Sequence, residues 1–234
     1  TDGNMSSTNI SFDTVYPGYF TFEAEDFNYG SGQFFDKPAP DAYSGYDGAD
    51  QVDYNCPNPP ANNPFQYGRI GLATEGCGDV PRSQFAGYLD YDVGNVNGGD
   101  WGNYTRTFPA GVYNIYMRAA NGNGANSDSA SMYEVTGDRT QPNQSTLSLG
   151  TFAVPATGGW QKFTWVPLLN AGGGLARFGG GSVETLREKT DNGSYNANYY
   201  MLVPADLSHN DPPFVSSVSP DGSALFQSTN RMSF

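Results

Sequence analysis

Glu23 and Glu25 lie two residues apart in FTFEAEDF, a segment whose apolar–polar alternation reads as a strand. On a strand that spacing projects both carboxylates from one face. Two like charges held that close repel unless water or a cation lies between them. Calcium would satisfy both, joined by backbone carbonyls and side-chain oxygens from elsewhere in the fold. A solvated strand face with two ordinary glutamates is the alternative, and spacing does not choose between them.

Other reactive groups are few. His209, in PADLSHNDPP, is the only histidine, which excludes Ser-His-Asp chemistry and disfavours a His-based zinc or copper site. Glycosidase chemistry needs only two carboxylates, and the chain has many, so a hydrolase stays open as a lesser reading. Cys56 and Cys77 frame CPNPPANNPFQYGRIGLATEGC; a disulfide closing this long loop in an oxidising compartment is expected, two unrelated thiols being the alternative. The Gly-rich run AGGGLARFGGG lacks the Lys-Ser/Thr ending of a phosphate cradle and reads as a hairpin with flexible turns.

The elements that must position these groups are strands. Short runs of alternating character follow one another from Tyr19: YFTFEAE, GYLDYDVG, WGNYTRTF, VYNIYMRA, TLSLGTFAV, WQKFTWVPLL, NANYYMLV. They are rich in Tyr, Phe, Val and Thr and separated by turn residues, the pattern of a β-sandwich or jelly roll. The 30 Gly, 16 Pro, 16 Tyr and 15 Phe fit the same class. Residues 1–18 read as a leader segment and 19–206 as an all-β sandwich. Residues 207–234 read as a linker and the truncated start of an immunoglobulin- or fibronectin-like domain, or as an extension packed on the sandwich.

Acidic residues outnumber basic ones 24 to 11, giving a net charge of −13. That balance argues against nucleic acid or an anionic membrane surface, both of which attract Lys/Arg patches. It also disfavours strongly anionic polysaccharides unless calcium bridges them. A secreted, extracellular monomer is expected.

Four segments, FTFEAEDF, GGDWGNYTRTFPAGVYNIYMRAA, PATGGWQKFTWVPL and YNANYYMLVP, stand in an order and spacing that resembles carbohydrate-binding modules of family 6 and its neighbour family 35. The resemblance covers about residues 19 to 204 and implies a jelly roll of two antiparallel sheets, a structural calcium near the first strand and no catalysis. The calcium would be held by Glu23 and Glu25, with Asn198 standing where the family commonly has an aspartate.

For the sugar cleft the resemblance assigns one aromatic to Trp160, after the Gly-Gly turn, and an asparagine to Asn196. The second aromatic of the family, ahead of the Gly-Asp-Trp strand, is replaced by Asn95, leaving Tyr91 or Tyr195 to compensate. Trp101 matches a tryptophan usually buried in the family. Trp160 and Trp165, five apart, should face opposite sides of a regular strand. Tyr43, Tyr46 and Tyr54, beside Asp47, Asp50 and Asp53, read as loop aromatics beside solvated acids, a second groove being the alternative. The implied partners are a polysaccharide, β-glucan or xylan foremost, and other domains of a parent protein. A structural or adhesive sandwich with a degenerate cleft is the competing reading.

Overall fold

The computed structural model describes residues 19–36, 43–57, 69–77 and 90–205. The leader segment, the segment after Ala205 and His209 lie outside the described residues. Among the described residues the regular structure is entirely β, and no helix is long and apolar enough to cross a membrane.

The described residues form twelve strands in chain order: β1 (Phe20–Glu23), β2 (Tyr54–Asn55), β3 (Thr74–Gly76), β4 (Tyr91–Val93), β5 (Trp101–Thr107), β6 (Gly111–Ala120), β7 (Asp128–Val135), β8 (Thr146–Val154), β9 (Thr164–Leu169), β10 (Arg177–Gly180), β11 (Val183–Asn192) and β12 (Asn196–Pro204). One layer runs β9-β6-β12-β4-β3, with β1 also on β12 and β10 also on β6; the other runs β2-β5-β11-β7-β8. Every ladder between strands is antiparallel. The layers join along one edge, because β9 pairs first with β6 (Ala119↔Thr164) and then with β8 (Phe152↔Leu168). The Gly-rich run turns the chain after β9, through the Leu169↔Leu175 bridge, and then delivers β10 to β6.

Period-2 alternation explains which residues meet between the layers. On β6, Tyr113, Ile115, Met117 and Ala119 face inward, opposite Tyr200 and Leu202 of β12 and Tyr104, Phe152 and Leu186 of the other layer. Aromatic contacts dominate: Phe22 stacks on Tyr200 at 5.0 Å, and Phe108 meets Phe178 edge-on at 5.1 Å. Each such buried ring removes enough apolar surface to contribute ~2–3 kcal/mol.

One irregularity matters for the site. The β12–β6 register shifts between Ala197 and Tyr199, so Asn198 is an extra residue in its strand. The bulge lets Ala197 and Tyr200 both face the core although they are three apart. It also turns the Asn198 side chain off the ladder.

Candidate functional site

Two groups of polar side chains converge on the layer carrying β12. The first lies where β6 ends and β12 begins. Thr157 donates its amide to the Asn121 carbonyl (3.0 Å), and the Asn121 amide donates to Thr157 Oγ1 (2.8 Å). These bonds fix the Gly-Gly turn against the end of β6. Gly122 leaves room for Trp160: a Cβ there would sit 2.7 Å from the indole. One ring face therefore rests on Gly122, while Trp160 stays 42% exposed.

Beneath that ring the polar groups form a closed chain. Asn196 Nδ2 donates to the Trp160 carbonyl (3.0 Å) and to Glu75 Oε1 (2.6 Å). Glu75 and Asp92 stand directly opposite across the β3–β4 ladder, so their side chains share one face. Gln161, next to Trp160, closes the ring by donating to Asp92 Oδ2 (3.0 Å). Asp92 is wholly buried, and its Oδ1 has no hydrogen-bond donor. Burial, together with the Glu75 charge and against the Gln161 hydrogen bond, pushes the Asp92 carboxyl up to about 8. Gly94 makes space for the pair, since a Cβ there would meet Glu75 Oε1 at 2.8 Å and Asn196 Oδ1 at 2.9 Å.

The structure therefore brings Trp160 and Asn196 together, with different tasks. Trp160 offers a ring face to solvent, whereas Asn196 is buried and ties the platform to Glu75. Asn95 is exposed on the neighbouring turn at φ 53°, a left-handed conformation that asparagine tolerates better than a bulky ring. Neither proposed substitute supplies a second platform. Tyr91 is buried against Tyr43 at 5.7 Å, because alternation on β4 turns it away from the face that Asp92 shares. Tyr195 is fully buried and bonds Thr190 Oγ1 (2.9 Å) and Glu188.

The second group surrounds the end of β1. Strand pairing stops at Glu23, so Glu25 lies beyond the strand, but the Glu23 charge still raises the Glu25 carboxyl. Burial, with Asp26 and Asp90, lifts Glu23 to about 8 against the pull of Arg118 and Arg106. Burial is the larger cause of the rise at Glu25. Glu23 Oε2 and Glu25 Oε2 are both buried without a donor. Two orphaned carboxylate oxygens in one place fit a hard, oxygen-loving cation. Among the described residues, however, no set of three His, Cys, Asp or Glu side chains is arranged around a metal. The bulge points Asn198 elsewhere: its Oδ1 accepts from Arg118 (2.6 Å), and its Nδ2 donates to Asp90 Oδ1 (3.1 Å) and the Tyr91 carbonyl (2.9 Å). Nearby carbonyls are also engaged, since the buried Arg69 guanidinium donates to those of Glu25, Phe27 and Asn28.

The expected disulfide is absent; Cys56 and Cys77 are separate thiols. Cys56 follows β2 in one layer, and Cys77 follows β3 in the other. Burial and the adjoining Asp100 push the Cys56 thiol up to about 12. Trp101 is buried as expected, but outside the main core, beneath the Arg187 guanidinium at 3.6 Å. Trp165 is half-buried and meets Tyr199 edge-on at 5.3 Å. The Tyr/Asp-rich loops serve structure: Asp53 accepts the Ser31, Gly32 and Ala49 amides, and Tyr43 OH donates to Asp26 (2.7 Å).

Glu75, Asp92 and Gln161 were not among the expected site residues. Gln161 had a visible signal, being adjacent to Trp160. The two acids meet only through strand pairing.

The class defined here is an all-β, two-layer protein with an exposed tryptophan set against a buried cluster of amides and carboxylates. No family model and no curated protein matches the chain. Among solved structures it is similar to a β-1,3-glucan-binding family 6 module from Bacillus halodurans (19% identity, TM-score 0.45, covering 79% of this chain and 95% of that one). It is also similar to a family 6 module from Clostridium stercorarium solved with cellobiose (14%, TM-score 0.47, 80% and 94%). A family 35 carbohydrate-binding module from Clostridium thermocellum is similar over a shorter span (15%, TM-score 0.35, 56% and 88%).

Proposed function

We propose that this chain is a non-catalytic carbohydrate-binding module. The observation that carries the reading is the Trp160 indole, one face seated on Gly122 and the rest open, above a ring of amide and acid groups. Sugars present flat C–H faces and polar edges, and this pairing of platform and hydrogen-bonding groups suits both. The ordered sequence motifs support the same reading. Binding rather than hydrolysis is favoured because Glu75 and Asp92 lie within hydrogen-bonding reach of each other. Glycosidase carboxylates are held ~5 Å or more apart.

In this reading the module is an extracellular monomer that directs a larger secreted enzyme or surface protein to a plant- or algal-type polysaccharide. Glu23 and Glu25 would hold a structural calcium, whose charge would neutralise their buried carboxylates. A second reading, a structural or adhesive sandwich with a degenerate cleft, draws on exposed Asn95 and on the burial of Tyr91 and Tyr195.

The experiment is a pull-down on insoluble polysaccharides of different backbone chemistry, with and without calcium. Retention by at least one polymer, lost in Trp160→Ala, is the expected result. Failure of every polymer to retain the protein favours the adhesive reading, and release of reducing ends favours the hydrolase.

A further inference from the structure

We propose that the site is built for a sugar carrying a protonated amine, such as a 2-amino-2-deoxyhexose unit of a polymer, with half-buried Glu75, backed by the buried Asp92 carboxyl, receiving the ammonium beside the Trp160 platform. This deepens the carbohydrate-binding reading and rests on it.

Acids directly opposite each other in an antiparallel pair repel, and this pair is also removed from water. Glu75 and Asp92 form such a pair (Glu75↔Asp92). The amides that serve them, Asn196 and Gln161, supply one bond to each. Asp92 Oδ1, on a side chain with no exposure, has no donor. Among the described residues neither acid has an ion-pair partner; the ion pairs present are Arg106–Asp26 and Lys189–Asp191. The nearby arginines are committed elsewhere, Arg118 to Asn198 and Arg69 to backbone carbonyls.

Among the described residues the site therefore has an acceptor surplus and no cation. Without a cation the pair relieves its repulsion by keeping a proton on Asp92, which a neutral hydroxyl would leave in place. An ammonium brings three donors and a charge that lets Asp92 release its proton, and charge-assisted bonds are the stronger kind. Trp160 extends the same preference, because an aromatic face attracts cations as well as stacking on C–H groups. At longer range, a net charge of −13 draws a polycationic glycan toward the surface and repels a polyanionic one.

The test is calorimetric titration of the protein at pH 6.5 with three soluble hexasaccharides: β-1,4-linked glucosamine, its fully N-acetylated form and cellohexaose. The glucosamine oligomer is expected to bind at least about tenfold more tightly than the other two, a preference worth ~1.4 kcal/mol. That preference is expected to collapse in Glu75→Gln/Asp92→Asn. This variant removes two of the chain's many negative charges and keeps side chains of the same shape. If it binds the glucosamine oligomer as tightly as the wild type, bulk charge is responsible and the inference is overturned. Equal or tighter binding of cellohexaose by the wild type also overturns it, while leaving the carbohydrate-binding reading in place. Binding of none of the three, together with failure of the polysaccharide pull-down, overturns both.

Discussion

Glu75 and Asp92 face each other across the β3–β4 ladder beneath an exposed tryptophan, one acid half-buried and the other wholly so. Like charges so placed cost stability, and buried carboxylates respond by keeping their protons. Asp92 does so, with its carboxyl at about 8. Replacing both acids with amides would remove the repulsion. Their place in a ring that also fixes Trp160 suits a ligand that uses them.

The platform itself can be tested without touching it. Gly122→Ala would place a Cβ 2.7 Å from the indole, so the ring must move. Binding to the retained polysaccharide should fall about tenfold or more, because a stacking surface works only at one height and tilt. The Tm should change by no more than a few degrees, since the contact is at the surface. Unchanged affinity in a folded Gly122→Ala protein would remove Trp160 from the site.

Much of this fold was readable from alternation alone, and the site only in part. Period 2 on VYNIYMRA separates Tyr113, Ile115 and Met117, in the main core, from Tyr116, which packs with Met201 and Val203 on the other face. Trp160 and Asn196 were accessible through motif order. Three features were not. The bulge at Asn198 changes which side chains share a face, and no local composition announces it. The Glu75–Asp92 pairing depends on register between short strands separated by a long connection. Cysteine spacing shows that a bridge could close a loop, but not that the two thiols belong to different layers.

Calcium should stabilise this protein in a pH-dependent way. Glu23 is pushed up to about 8 and Glu25 is raised well above the usual carboxylate range, both chiefly by burial. Below the unfolded carboxylate value of about 4.5 both states hold these protons, and the contribution to stability is fully present. As pH rises toward and through the folded values, the unfolded state releases them first, and stability is lost. Calcium bound by the ionised pair would restore it, by ~2.7 kcal/mol at a hundredfold excess over its dissociation constant. Thermal melts at pH 7.5 should therefore shift up by several degrees with calcium and return with chelator, while melts at pH 4.5 should not move. Asn198→Asp adds a carboxylate near Asp90, so it should lower the Tm in chelator and enlarge the calcium increment. A calcium-indifferent Tm at pH 7.5 in both proteins would sink the metal assignment.

The core contains another pH-sensitive group, a buried carboxyl on β11. Glu188 of β11 is buried among Tyr104, Tyr195 and Tyr200, with Tyr195 OH donating to its Oε1. Burial raises its carboxyl to about 8, the Tyr195 hydrogen bond pulling the other way. Its protonated form suits the folded state, so its stabilising contribution is whole below about 4.5 and is lost as pH climbs through about 8. Glu188→Gln keeps an oxygen to accept from Tyr195 and removes the ionisation. At pH 5 its Tm should match the wild type closely. At pH 8.5 it should exceed the wild type by about 3 °C or more, the shift that ~1 kcal/mol produces in a domain of this size. Paired melts at the two pH values check this directly. An equal difference at both would mean that the amide acts through packing and that Glu188 does not titrate in the folded protein.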